Sequence, residues 1–409
     1  MCRVPLYTAL AHATLAAAGA AVEIAPYAVQ PAAASQRFDG IGAISGGGGE
    51  TVLLPAYPAA EQAEILDFLF KPDFGAALHI LKVEIGGDSL STDGAEPSHM
   101  HTENDAPNFE RGYEFWLAKQ AKQRSQHILL YGLPWEWPSW VGAGTGNPYE
   151  NVSRTVLYTT TWVKGAKEAH GLSLDFVGVW NEQICSTEYV LALRAALDTF
   201  SAHTKIVAPD RSVKDTNAFV VELHANPALR RATHAVGYHY PNSNPGVQPL
   251  PGVLTLWASE DDSSVDPPAD APPTPRPRKM PGGGCLVRTI NQNFVQGNIT
   301  ATIVWNLVMA RYPQMRWDFT GLVAAIDPIG GHYDVLPPVW AAAHTTQFTR
   351  PGWKLLPVGQ GSGWLRLGGT YVSPQKLCAT RQHIVPSVTT ATRMYVPHQY
   401  SSLSLAMRT

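Results

Sequence analysis

The sequence predicts an α/β chain built as a (β/α)8 barrel. Two observations support this: eight short apolar runs suited to strands, and amphipathic runs of helical period between several of them. Strands separated by helices must pair in parallel, because the crossover returns each chain to the same edge. The strand expectations are Gly40–Ile44, Leu78–Ile85, Ile128–Leu133, Leu174–Trp180, Lys205–Ala208, Ala235–His239, Val253–Ala258 and Ala301–Asn306. Helices are expected over Ala60–Phe70, Gly112–Arg124, Val152–Ala169 and Glu188–Phe200, while the one before the sixth strand is poorly marked. The first repeats Ile65, Leu66, Leu69 and Phe70 on one face and stops at Lys71-Pro72. A doubly wound sheet is the alternative. It would normally place a glycine-rich phosphate turn after the first strand, but the glycines from Gly46 to Gly49 lack that spacing and read as a βα loop.

A length of 409 residues allows one large barrel plus an appendage. Hydrophobic residues make up 45% of the chain, enough for a sizeable core, and charged residues only 15%, with a net charge of −3. That balance gives no basis for nucleic-acid binding, which needs a basic surface. Residues 1–21 carry one arginine and then an apolar stretch ending in small residues, resembling a secretory signal peptide interrupted by His12. No segment reads as a membrane span. Residues 22–37 are expected to supply a β-sandwich strand, residues 38–337 the barrel, and residues 338–409 a partial β-sandwich with an irregular tail. Within the barrel, residues 266–284 form a Pro/Gly-rich insert without apolar period, expected as a solvated loop. The four cysteines form no metal-binding spacing, so no metal site is expected. Two glycosylation sequons begin at Asn151 and Asn298 and matter only in a secreted chain.

In a parallel barrel the chemistry sits where strands end at their carboxyl edge. The fourth expected strand runs into Asn181-Glu182 and the seventh into Ser259-Glu260. Retaining glycoside cleavage needs such a pair, one carboxylate to attack the anomeric carbon and one carboxyl to protonate the leaving oxygen, roughly 5–5.5 Å apart. Glu182 is expected as acid/base and Glu260 as nucleophile. The charge of Glu260 should raise the pKa of Glu182 until esterification removes it. Asn181 is placed to reach the sugar 2-hydroxyl. Other acids near strand ends, namely Glu84, Asp88, Asp93, Asp210, Asp261 and Asp262, are expected to be structural or supporting groups.

At FDGIGAISGGG (38–48), FLFKPDFGAALHILKVEIGGD (68–88), TDGAEPSHMH (92–101), WNEQ (180–183), INQNFVQGNITATIVWNLV (290–308) and PPVWAAAHTTQFTRPGW (337–353), the sequence resembles glycoside hydrolase family 59. The resemblance spans about residues 37–372 and breaks at the Pro-rich insert. It implies a lysosomal retaining exo-β-galactosidase acting on galactosylceramide and galactosylsphingosine, with no metal or organic cofactor and with lipid delivery by a saposin-type protein. It places the acid/base on Glu182 and the nucleophile on Glu260. Thr92, Trp135, Asn181 and Trp305 then line the galactose pocket, and Arg381 corresponds to an arginine from the family's sandwich. Cys285 matches a family half-cystine, so a Cys285–Cys378 bridge is expected on that likeness, with Cys185 a packed thiol. The family's lectin-like domain has no counterpart here, which leaves a catalytically impaired or galactolipid-binding form as the alternative.

Overall fold

The computed structural model describes residues 36–47, 50–241, 255–263, 283–310, 320–354, 365–367 and 370–372. The expected signal peptide, most of the Pro-rich insert, Cys378 and Arg381 lie outside them. Eight parallel strands close into a barrel in sequence order. They are β1 (Gly40–Ile44), β2 (Ile80–Ile85), β3 (Leu129–Pro134), β4 (Phe176–Val177), β5 (Lys205–Ser212), β6 (Thr233–His239), β7 (Thr255–Asp262) and β8 (Ile299–Trp305). Closure is through β1 and β8, with Gly42 opposite Ile303.

Around the barrel run α1 (Ala59–Phe70), α2 (Glu114–Arg124), α3 (Val152–His170), α4 (Thr187–Phe200), α5 (Val213–Ala225), α6 (Pro227–Ala232), α7 (Gly283–Asn291) and α8 (Pro337–Thr346). Each of α1, α3 and α4 turns a leucine, valine or aromatic stripe onto the strands. The weakly marked connection before β6 is two helices. Asn226 ends α5 and caps α6, its side chain accepting from the amides of Ala228 and Leu229, and Pro227 takes the first helical position. Helix α7 begins at Gly283, inside the last two residues of the expected insert. The expected boundary at 337 is the first residue of α8, a helix whose Thr346 carbonyl lies 3.1 Å from His79 Nε2 beside β2.

Two elements differ from expectation. Strand β4 pairs through two residues only. Beyond it single backbone bonds continue the contact, from Gly178 N to Gly132 O and from Asn181 N to Pro134 O. Gly178 is needed there, because a Cβ would meet Leu133, the Tyr131 hydroxyl and Asp210. After β8 comes a small mixed sheet of β9 (Val308–Ala310), β10 (Val323–Asp327) and β11 (His332–Val335).

The interior of the barrel is filled by Ile44, Ile80, Tyr131, Phe176, Val207 and Trp257, with Trp135 and Trp305 toward the strand ends. A larger apolar layer lies between strands and helices. The unit's two ends meet: Phe38 N donates to Trp353 O, Gly352 N donates to Phe38 O, and Arg37 bridges Lys354 antiparallel. A second compact unit takes in residues 1–34 and 356–386, of which the described part is an antiparallel pair, β12 (Leu365–Leu367) with β13 (Thr370–Val372). Of the expected sandwich segments, residues 338–346 are helix α8 instead, Arg37 and Lys354 form an isolated antiparallel bridge, and most of the remainder lies outside the described residues. Among the described residues no helix is long and apolar enough to cross a membrane.

Candidate active site

The carboxyl edge of the barrel is irregular where the chemistry was expected. The β5–β6, β6–β7 and β7–β8 ladders slip register between Pro209 and Arg211, Tyr238 and His239, and Ala258 and Asp261. Such slips re-aim side chains at a strand end. Glu182, Asp210 and Tyr240 all take left-handed backbone angles, φ 55°, 60° and 52°. L-residues rarely adopt that region, and clusters of it mark functional sites held by their surroundings. The holding bonds run between strand ends: Glu182 N donates to Asp210 O (3.0 Å), and Tyr240 N donates to Glu260 O (2.8 Å).

Glu182 and Glu260 converge. One oxygen from each carboxylate and one ring nitrogen of His239 all lie within 4.8 Å of one another. The Tyr240 hydroxyl donates to Glu260 Oε1 at 2.6 Å, while Glu260 Oε2 accepts no hydrogen bond among the described residues. The Glu182 side chain is 49% exposed and that of Glu260 7%, so one faces the opening and the other the floor. Asn181 is buried beside Glu182, and its side-chain oxygen lacks a partner among the described residues.

His239, Asp210 and Lys82 sit beneath the pair and are fully buried. His239 Nδ1 lies 3.0 Å from Glu182 Oε1 and 3.7 Å from Glu260 Oε2, and Nε2 lies 3.1 Å from Asp210 Oδ1. Lys82 Nζ donates to Asp210 Oδ1 (2.8 Å) and to Ser259 O (3.0 Å), over the rings of Tyr131 and Trp135. The Tyr131 hydroxyl donates to Asp210 Oδ2.

The proton affinities run opposite to the expectation for the free site. The hydrogen bond from His239 lowers the pKa of Glu182, and its charge adds to the effect, outweighing burial. Burial raises that of Glu260, with the Glu182 charge adding to it against the pull of His239 and Lys82. Burial opposes the charge of His239, but the carboxylates of Glu260, Asp210 and Glu182 overcome it and push its pKa up to about 9. Burial likewise opposes the charge of Asp210, yet Lys82 and His239 hold its carboxyl far below the usual range. The reason for the reversal is His239: a cation in contact with Glu182 outweighs its burial and the repulsion from Asp210.

Asp210, expected as a supporting group, is the hub of this network. Lys82, His239 and Tyr240 carried no expected role. A lone lysine within the apolar run ILKVEI is a usable signal, because a buried ammonium demands a partner. Its partner, however, lies three strands away.

The remaining expected pocket residues lie at the same edge. Trp135 follows β3 and is buried beneath Gly46, where any Cβ would strike its ring. Thr92, in the loop after β2, bonds its amide to Gly47 O. A Cβ on Gly47 would sit about equally near the Thr92 hydroxyl and the Trp305 indole nitrogen, which places those two beside one turn. Gly47 N donates to Glu84 Oε2 (2.8 Å), so Glu84 supports the loop after β1. Asp88 pairs with His101 and Ser98, and Asp261 accepts from Asn293. Among the described residues Cys185 and Cys285 form no disulfide; Cys285 is buried in α7, and its expected partner Cys378 lies outside the described residues.

The family model "Glycosyl hydrolase family 59" matches residues 38–347. The chain is 44% identical over 339 residues to galactocerebrosidases of Homo sapiens and Canis lupus familiaris, covering 83% of this chain, and 33% identical to a putative galactocerebrosidase of Caenorhabditis elegans. It spans about half the length of these relatives. Among solved structures, the catalytic domain of a GH30 xylanase C from Talaromyces cellulolyticus aligns over 82% of both chains at TM-score 0.63 and 19% identity, which shows the shared barrel fold. An endo-beta1,6-glucanase aligns over 83% of both chains at TM-score 0.62 and 17% identity. With a family model matched across the whole barrel and relatives 44% identical over it, the chain belongs to glycosyl hydrolase family 59.

Proposed function

We propose that the chain is a retaining exo-β-galactosidase that releases galactose from galactosylceramide and galactosylsphingosine. The observation that carries the reading is the approach of the Glu182 and Glu260 carboxylates to within 4.8 Å. Retaining glycosidases hold the pair roughly 5–5.5 Å apart, whereas inverting ones leave about 6.5–9.5 Å for a water. Glu260 Oε2, free of hydrogen bonds among the described residues, attacks the anomeric carbon while Tyr240 holds Oε1. Glu182, facing the opening, protonates the departing oxygen and then activates water.

The pocket itself is proposed from Thr92, Trp135, Asn181 and Trp305, with Arg381, outside the described residues, as a further substrate-binding residue. Thr92 offers a hydroxyl to the sugar, the two tryptophans offer ring faces, and Asn181 meets the 2-hydroxyl. No metal or organic cofactor enters the chemistry. Entry to the secretory pathway through residues 1–21, glycans on Asn151 and Asn298, a Cys285–Cys378 bridge, a lysosomal location and presentation of the lipid by a saposin-type protein complete the reading. Asn151 and Asn298 are both exposed, as glycan attachment requires.

The test is release of galactose from a chromogenic β-galactoside and from galactosylceramide at acidic pH, with nuclear magnetic resonance reading the first-formed anomer. Wild-type protein should give β-galactose first, and Glu260→Gln should lose activity by at least about 10³-fold. A first-formed α-anomer, or an active Glu260→Gln variant, defeats the assignment.

A further inference from the structure

Three ionisable groups at the site touch no reacting atom, yet they are the most deeply buried. Lys82, Asp210 and His239 form one line behind Glu182: ammonium, carboxylate, imidazole, carboxylate, each joined to the next by a contact of 2.8–3.1 Å. Five elements converge on it, with Lys82 from β2, Tyr131 from β3, Asp210 from β5, His239 from β6 with Tyr240 just after it, and Glu260 from β7. Packing alone has no use for two buried cations and a buried carboxylate, because removing each from water is strongly unfavourable unless it is paired.

We propose that His239 is the positioning residue and proton store for Glu182, oriented by Asp210, which Lys82 in turn holds in place. The idea rests on Glu182 being the acid/base. His239 Nε2 is committed to Asp210, so Nδ1, 3.0 Å from Glu182 Oε1, carries the one transferable proton. In the free site that proton resides on the imidazole. An aglycone entering over the half-exposed Glu182 displaces water from it and raises its proton affinity.

In the first step Glu260 Oε2 forms a bond to the anomeric carbon and the bond from that carbon to the aglycone oxygen breaks. The aglycone oxygen takes a proton from Glu182, which His239 Nδ1 has supplied. The imidazole ends neutral, Glu182 ionised and Glu260 esterified. The loss of the imidazolium charge coincides with loss of the Glu260 charge, its foremost stabiliser. In the second step water attacks the anomeric carbon and the ester bond breaks. The water proton passes through Glu182 back to His239, and the Glu260 carboxylate returns. Each step conserves the net charge of the cluster.

The experiment pairs two substrates that differ in their need for a proton. Departure of 2,4-dinitrophenolate needs none, whereas methyl β-galactoside requires an acid. In His239→Gln, kcat/KM on the methyl galactoside should fall by about 10²–10⁴-fold. The dinitrophenyl substrate should change by less than about tenfold, and the alkaline limb of the methyl galactoside profile should move to lower pH. Asp210→Asn should shift both readouts in the same direction. Equal losses on both substrates, or an unmoved alkaline limb, overturn the store while leaving the functional reading intact. Wild-type protein inert on both substrates overturns that reading and the store with it. A measurement on wild-type protein covers variants that fail to fold. The ¹⁵N shifts of His239 should report an imidazolium at pH 7.5 in the free protein and a neutral ring in the adduct trapped with a 2-fluorogalactoside. An imidazolium in the adduct overturns the proposal.

Discussion

At the scale of single residues, the site depends on charges that water never reaches. Lys82 is the plainest case, since its ammonium is the nearest cation to Asp210 and spans two rings. Lys82→Met keeps the volume and removes the charge. Asp210 is then left with fewer stabilising partners, and the variant should lose about 3–5 kcal/mol of stability, the range for breaking a buried pair. Equilibrium urea unfolding checks this, and an unchanged midpoint contradicts it. Sequence reading singled out Glu182, Glu260 and Asn181, which the structure brings to one edge of the barrel, because each lies where an apolar run ends. It passed over His239 and Lys82 because a polar residue inside a strand shows no partner until the barrel closes. It also inverted the proton order of the glutamates, since the imidazole that decides that order sits two strands from Glu182 and one from Glu260.

At the scale of elements, boundaries were most legible where local chemistry announces them. Strand β1 agrees with its expected limits, and α1, α3 and α4 agree to within one residue. Their periodicity is long and their ends are marked by Pro58, by the Asn151 and Ser186 caps and by the left-handed Gly171. Elements that start on prolines or glycines were not legible: α8 opens on Pro337-Pro338 and α7 on Gly283-Gly284, residues that read as breakers. Strand β4 shrank because Asp175 spends its carboxylate on the Leu130 amide and Gly178 yields space to Asp210, which leaves little regular ladder between them. Asn151 joins two roles, being both a sequon asparagine and the cap of α3, where its side chain accepts from Arg154 N at 3.2 Å. Asn151→Ala should therefore cost about 1 kcal/mol of stability even in unglycosylated protein. Ser153→Ala removes the sequon alone and should leave bacterial material within about 0.5 kcal/mol of wild type. Equal thermal melts for the two variants would rule out the cap.

At the scale of the molecule, buried titratable groups set a pH window for stability. Burial raises the pKa of Glu96 to about 8, with the Glu84 charge adding to it, and that of Glu50 to about 7, chiefly by burial. Each contributes stability that is complete below the unfolded carboxylate range and is lost as pH rises through 7–8. His79 and His99 are lowered by burial, to about 4 and about 3, so they weaken the fold as pH falls below the ordinary histidine value. The two sets oppose each other in between. Thermal stability should form a plateau near pH 4.5–6.5 and decline toward pH 8, where Glu96 and His239 still hold protons that the unfolded chain has released. Glu96 accepts from Tyr113 N, and its Oε2 has no partner among the described residues. Glu96→Gln mimics the protonated acid and should flatten the alkaline decline by about 1.4 kcal/mol per pH unit, the value for one proton. A variant that declines as steeply as wild type would remove Glu96 from this account.

The clasp of Phe38 by Gly352 and Trp353 has a practical reach of its own. A polypeptide that enters and leaves its barrel at neighbouring points behaves as a plug-in cassette, because its host need supply only two adjacent sockets. The same adjacency invites re-cutting: ligating 36 to 354 through a short glycine-serine bridge and opening a surface loop elsewhere should yield a circular permutant with its eight strands undisturbed.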